Sequence, residues 1–84
     1  MNATKAVFRA FDCGDVIALL FDEKNAVGEI KAYMMKGGFF YIDYGRVLHL
    51  TRPATATQRK ATFFDLLSIG YDGIQIYQRA RPQG

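Results

Sequence analysis

The sequence has no tryptophan, one cysteine, one histidine and two prolines among its 84 residues. A lone cysteine, Cys13, cannot form an internal disulfide, so a disulfide-stabilised fold is excluded and a reducing compartment is indicated. No apolar run approaches the roughly 20 residues that span a bilayer, and no apolar stretch follows basic residues near the N-terminus as in a secretory signal. We therefore expect a cytoplasmic protein without a membrane partner.

The residue types that carry catalysis or bind metals are too few and too scattered to form a motif. Zinc sites need clustered ligands, whereas Cys13 and His49 are far apart in the sequence. The acidic pairs lack the spacing of a calcium loop, Gly37-Gly38 does not open a helix as a phosphate loop does, and no serine occupies a nucleophile elbow. We interpret His49 as a structural or partly exposed residue, and we expect a non-enzymatic protein without cofactor or metal.

The composition is that of a small folded domain. Half of the residues are hydrophobic and 23% are charged, a balance typical of globular chains rather than disordered ones. The length fits one domain covering residues 1–84. The formal net charge is +3, but the basic residues are spread along the chain without a run of five. Ordinary solubility explains this charge, and an acidic partner is the alternative.

One segment carries a complete set of helix signals. Thr55 is a favoured N-cap residue, and Gln58 three positions later completes a capping-box pattern. Pro53 discourages a helix from entering this segment from upstream, and Gly70 is a typical residue just beyond a helix C-terminus. These signals predict a helix at about residues 56–69.

The periodicity of this helix assigns its faces. Phe64 lies beside the main apolar stripe, and Asp65 lies opposite it. Phe64 is interpreted as a partly buried edge residue, with a partner surface as the alternative. The stripe itself consists of Ala56, Arg59, Phe63, Leu66 and Leu67.

Most of the remaining chain reads as strands. Residues 45–51 are ambiguous between a short strand and a single helical turn. The predicted fold is α+β, with a mostly antiparallel sheet of four to five strands, one helix packed on one face, and the order β-β-β-β-α-β. The predicted strands are residues 5–11, 16–21, 29–36, 39–44 and 74–79.

The two middle strands form a hairpin whose faces are both apolar. Gly37-Gly38 predicts a two-residue turn that pairs Met35 with Phe40. One helix can cover only one face, so the second face is covered by residues 46–50 or meets another subunit. The resulting candidate interaction surface consists of Tyr33, Met35, Phe40, Ile42, Tyr44 and Phe64.

Two classes of function follow from these patterns. The first is an interaction module that associates with itself or docks on a protein partner. The alternative is a nucleic-acid-binding accessory protein, because aromatic and basic residues alternate on the strands and can form a stacking surface for a single strand. The candidate nucleic-acid contacts are Lys31, Tyr41, Arg46, Tyr77 and Arg79.

Three short segments also resemble a known group of proteins. Residues 14–19 (GDVIAL), 51–55 (TRPAT) and 68–71 (SIGY) resemble small proteins of gut-type Bacteroidetes and their phages and mobile elements. The chain departs from that pattern at residues 56–58, where the group has proline and acidic residues, and at residues 34–38, where it has a His/Gln/Gly-rich segment. The resemblance implies a cytoplasmic location and a mobile-element origin, and it implies no known activity.

Overall fold

The computed structural model describes residues 4–71 and 73–77. Within these ranges the chain forms strands and helices that build an α+β architecture around one mostly antiparallel sheet. No helix in the described ranges is long and apolar enough to cross a membrane. The elements are β1 (Thr4–Phe11), β2 (Val16–Lys24), β3 (Ile30–Met34), β4 (Gly38–Ile42), α1 (Tyr44–Leu50), β5 (Thr51–Pro53), α2 (Ala56–Ile69) and β6 (Ile74–Tyr77).

The sheet is a meander of four strands that is extended by two short strands at one edge. Its order is β4-β3-β2-β1-β5, and β6 also pairs with β1. The N-terminal half of β1 pairs in parallel with β6, beginning at Thr4 and Ile74. Its C-terminal end, from Arg9 to Phe11, pairs antiparallel with β5. Two segments that are distant in sequence therefore share the outer edge of the first strand.

Helix α2 covers one face of the sheet, here called the α2 face. Leu66 is fully buried and packs with the β1 residues Ala6 and Phe8 and the β2 residue Leu20. The predicted bounds and capping box of α2 are confirmed, since the Gln58 amide donates to the Thr55 hydroxyl at 3.1 Å and the Thr55 amide donates to the Gln58 side chain at 2.9 Å. Gly70 ends the helix with a φ of +126°.

The opposite face, here called the α1 face, is covered by the seven-residue helix α1. Val47 of α1 is fully buried against the β1 residue Val7 and the β2 residues Ile17 and Leu19. The expectation of one helix is therefore wrong, and residues 45–51 form a helix followed by a short strand. Asp43 caps α1 by accepting the Arg46 amide at 3.0 Å, a start signal that the unfavourable Gly45 obscured.

The register of the β3–β4 hairpin differs from the expected one. Met34 pairs with Gly38 and Ala32 pairs with Phe40, so the turn contains residues 35–37 instead of Gly37-Gly38. Gly38 supplies the positive φ, at +73°, from within the strand. The pairing shifts by three residues, and an odd shift moves every β4 side chain to the other face relative to β3.

Two other strand predictions change at their ends. β2 continues to Lys24, three residues beyond the end predicted at residue 21, and its pairing with β3 is irregular between Leu20 and Lys24. In β6, Ile74 packs against the α2-face core, whereas Ile76 is exposed. The expected end of this strand at Arg79 lies outside the described residues. The α+β class and the mostly antiparallel sheet are confirmed, whereas the element order and helix count differ.

A buried arginine ties α1 and β5 to the sheet. Arg9 of β1 is 9% exposed and donates from Nε to the Thr51 hydroxyl at 2.9 Å and from Nη2 to the Thr51 carbonyl at 2.7 Å. The Thr51 hydroxyl in turn donates to the Val47 carbonyl at 2.7 Å. Across the described residues, every buried side-chain nitrogen and oxygen has a hydrogen-bond partner.

Candidate functional site

Strand β4 forms one edge of the sheet. It has a neighbouring strand on one side only in the described part of the chain. The strand reads Gly-Phe-Phe-Tyr-Ile and contains no charge and no proline. Phe39 and Tyr41 are 38% and 46% exposed, so large apolar side chains reach solvent along this edge. Natural sheet edges are commonly protected by lysine, proline or a bulge, and β4 pairs with β3 in a continuous register without a bulge.

An aromatic group around one cation lies on the α2 face at this edge. The ring centroids of Tyr33 and Phe39 are 4.7 Å apart, and those of Phe39 and Tyr71 are 5.7 Å apart. The Lys31 ammonium lies 4.8 Å from the centroid of the Phe39 ring, within the range of a cation–π contact. We call this group the edge cluster, and it consists of Lys31, Tyr33, Phe39, Tyr41 and Tyr71.

Lys31 is held in place by its neighbours. Its ammonium lies 3.4 Å from the Glu23 carboxylate. Burial lowers the pKa of Lys31, but the Tyr71 hydroxyl and the Glu23 carboxylate together outweigh it and raise this pKa above its usual value. Lys31 therefore stays protonated, and the Glu23 carboxylate partly balances its positive charge.

Tyr33 joins the edge cluster to the helix. Its hydroxyl donates to the Asp65 carboxylate of α2. This hydrogen bond, with burial and the negative charge of Asp65, raises the pKa of Tyr33 above its usual value. Asp65 was expected on the side of the helix opposite the apolar stripe, and its contact with Tyr33 of the sheet corrects that expectation. The neighbouring Phe64 faces outward instead.

The other side chains of β4 lie on the α1 face. Phe40 and Ile42 are partly buried and pack, together with Tyr44, against the core around Val47. Both faces of β4 are therefore apolar, as the sequence predicted, but with opposite assignments of the side chains. Of the segment 46–50, which belongs to α1, Val47 is buried in the core cluster against which this face packs.

A recess lies beside the start of β4. A cavity of about 330 Å³ opens between the β1–β2 turn, the β3–β4 turn and α2, with Met34, Met35 and Thr62 in its wall. At its rim the Lys36 ammonium lies 3.5 Å from the Asp15 carboxylate. The Lys36 side chain is largely exposed, so this ion pair contributes little to stability.

The six residues of the predicted interaction surface do not share one face. Tyr33 is buried on the α2 face, and Phe40, Ile42 and Tyr44 lie on the α1 face. Met35 is 54% exposed in the β3–β4 turn, and Phe64 is 55% exposed on the outer side of α2. The side chains of the edge strand β4, however, alternate between the α2 face and the α1 face.

The predicted nucleic-acid contacts are also dispersed. Lys31 and Tyr41 are directly paired across β3 and β4 and share the α2 face. Arg46 lies in α1 on the other side of the sheet, and Tyr77 lies in β6 next to β1, where its ring packs against Phe21. Arg79 lies outside the described residues.

Sequence reasoning missed Phe39 and Tyr71 as members of the candidate surface. The wrong hairpin register assigned Phe39 to the face opposite Tyr33, and correct placement of Gly38 would have recovered it. Tyr71 follows the helix stop at Gly70, and no sequence signal places it beside β4. Its position depends on the way α2 crosses the sheet.

Comparison of the chain with protein-family models, with curated proteins and with solved structures found no match. Among the described residues, no group of three His, Cys, Asp or Glu side chains is arranged to hold a metal ion. His49 is exposed on α1, and Cys13 is an exposed free thiol in the β1–β2 turn. The β4 edge with its cluster is therefore the best-defined candidate site.

Proposed function

We propose that the protein is a small non-enzymatic interaction module that binds another protein chain through the β4 edge. The observation that carries this proposal is an edge strand without charge or proline, with Phe39 and Tyr41 exposed along it. Exposed apolar side chains beside unpaired backbone groups are the features that peptide-binding sheet edges use. The edge cluster supports the surface from behind, because Phe39 is packed between Tyr33 and Tyr71.

The rigidity of this surface favours binding. Lys31 is held by Glu23 and the Phe39 ring, and Tyr33 is held by Asp65. Side chains that are ordered before binding lose less conformational entropy when a partner arrives. A cytoplasmic setting suits the exposed Cys13 thiol, and a mobile-element origin remains what the sequence resemblance implies.

The test compares two variants as baits. Tyr41→Ser removes an exposed ring from the edge, and Val27→Ser removes an exposed apolar residue from the β2–β3 loop. Wild type and both variants are examined for self-association and for capture of proteins from a lysate of the source cells. We expect association that is lost in Tyr41→Ser and kept in Val27→Ser. Association that neither variant changes, or no association of any kind, would contradict the proposal.

The alternative is a nucleic-acid-binding accessory protein. The pairing of Lys31 with Tyr41 on one face supports it, because a cation beside an exposed ring can hold a phosphate and stack a base. Its test is fluorescence anisotropy with a single-stranded oligonucleotide at low and moderate salt. Binding that weakens with salt and is reduced in Lys31→Ala would support this function, since phosphate contacts depend on salt.

A further inference from the structure

We infer that the occupant of the β4 edge is a second copy of the same chain, paired antiparallel strand to strand about a two-fold axis near Phe40. This inference rests on the proposed function and names its partner. Antiparallel pairing of two β4 strands joins the two sheets into one. In a two-fold dimer the same strand contributes to both sides, so one sequence must be complementary to itself.

The side chains of β4 meet this requirement on both faces. Across the axis, Phe39 and Tyr41 of one copy lie beside Tyr41 and Phe39 of the other on the α2 face. On the α1 face, Phe40 of each copy lies beside Phe40 of the other, and Ile42 lies beside Gly38 of the other copy. Aromatic and branched side chains on adjacent strands are favourable cross-strand pairs. No residue of β4 is charged, so two copies of the strand do not repel each other electrostatically.

The charges that flank β4 select the antiparallel direction. Lys36 precedes the strand and Asp43 follows it, and both side chains are exposed. Antiparallel pairing brings Lys36 of each copy to the end of the interface where Asp43 of the other copy lies. Parallel pairing would place like charges together at both ends. The exposed contact of Lys36 with Asp15 is weak enough to be exchanged for this one.

Of the two short strands at the opposite edge of the sheet, β5 is less suited to the same role. There β5 spans three residues and contains Arg52 and Pro53. Proline cannot donate to a ladder, and a charged residue on an edge disfavours pairing. β4 has neither feature along its five residues.

The experiment is sedimentation equilibrium over a wide concentration range on wild type, Tyr41→Lys and Phe64→Lys. Both variants replace an exposed aromatic residue by lysine, but Tyr41 lies on the β4 edge and Phe64 on the outer side of α2. In the dimer, Tyr41→Lys loses aromatic contacts and places a lysine of each copy on neighbouring strands. We expect its dimer dissociation constant to rise about tenfold or more, while that of Phe64→Lys stays within about twofold of wild type.

Two further measurements guard against a variant that fails to fold. In wild type, amide hydrogen exchange should slow with increasing concentration within residues 38–42 and stay constant in α2. Lys36→Glu, which sets a carboxylate beside the partner's Asp43, should weaken the dimer more at low salt than at high salt. Strengthening of the dimer by Lys36→Glu would overturn the antiparallel arrangement.

The failure of this inference is distinguishable from the failure of the proposed function. A wild-type protein that sediments as a monomer at all concentrations, or a dimer that Tyr41→Lys leaves intact, overturns self-pairing through β4. If such a monomer still captures a protein in a manner that depends on Tyr41, the interaction module stands with a different partner. If Phe64→Lys dissociates the dimer and Tyr41→Lys does not, the interface lies on α2.

Discussion

The Tyr33 hydroxyl of β3 donates a hydrogen bond to the Asp65 carboxylate of α2, and this contact fixes the helix over the sheet. Tyr33 itself packs against Phe39 of β4. One phenol therefore links the helix that covers the core to the strand that forms the edge. The position of α2 and the shape of the candidate surface depend on the same side chain.

Because of this hydrogen bond, the free energy of unfolding should depend on pH in the alkaline range. The pKa of Tyr33 is raised above its usual value of 10.0 by the bond to Asp65, by burial and by the carboxylate charge. An acid with a raised pKa in the folded state stabilises the protein fully below its unfolded pKa, and that contribution is lost as the pH rises through the folded value. The free energy of unfolding should therefore fall more steeply above about pH 10 in wild type than in Tyr33→Phe.

Urea unfolding between pH 8 and pH 11 would measure this difference, with Tyr41→Phe as the control. Tyr41 is also a β-strand tyrosine, but it is exposed and lies one strand outward from Tyr33. Tyr41→Phe should keep the steeper alkaline fall of wild type, because it leaves the Tyr33–Asp65 hydrogen bond in place. Identical profiles for wild type and Tyr33→Phe would show that the Tyr33–Asp65 bond does not control alkaline stability.

Leu66 is the residue of α2 on which the core most depends. It is fully buried among side chains of the α2 face, so Leu66→Ala should lower the free energy of unfolding by about 2–5 kcal/mol. Ile69→Ala, on an exposed position of the same helix, should change it by less than about 0.5 kcal/mol. Denaturant titration of both variants checks the prediction, and similar losses in the two would contradict the assigned packing of the helix.

The capping box should stabilise the start of α2. Thr55→Ala removes the hydroxyl that accepts the Gln58 amide and should cost about 1 kcal/mol of unfolding free energy. Thr57→Ala changes a similar exposed threonine inside the helix and should be close to neutral, since alanine is the better helix former. Thermal unfolding of the two variants is the measurement, and an equal loss in both would mean that the cap contributes nothing.

Arg9 should depend on the Thr51 hydroxyl. Thr51→Val keeps the shape of the side chain but removes the acceptor of the buried Arg9 Nε–H group. The unfolding free energy should fall by about 1–3 kcal/mol, because a buried donor is left without a partner. Thr51→Ser keeps the hydroxyl and should lose clearly less. If Thr51→Ser were as destabilised as Thr51→Val, the methyl group rather than the hydrogen bond would be the important feature.

The parts of the fold that sequence reasoning recovered are those with local causes. Helix α2 begins and ends where Thr55, Gln58 and Gly70 predict, because each of these residues acts on backbone within a few positions. The β3–β4 register depends on which of two adjacent glycines adopts a positive φ, and the choice falls on Gly38. In this register Phe40 packs over the α1-face core, a contact that the turn sequence alone does not contain.

The candidate surface could be predicted only in part from the sequence, because only some of its features have local causes. The sequence indicated that both faces of the hairpin are apolar, which holds in either register. It did not bring Tyr71 to Phe39 or Asp65 to Tyr33, because these contacts depend on the crossing of α2 over the sheet. Contacts of this kind join residues from distant elements, and periodicity along one element cannot reveal them.

The shared outer edge of β1 has a consequence for synthesis of the chain. β1 is made before β5 and β6, which complete its edge in that order, and the pairing of β6 begins with Thr4 against Ile74. During translation the outer backbone edge of β1 therefore stays at least partly unpaired until the segment up to Tyr77 has left the ribosome. Non-local pairings of this kind slow folding and leave strand edges exposed in the meantime. The part of the β1 edge that β6 covers is thus open to mispairing until β6 has been made.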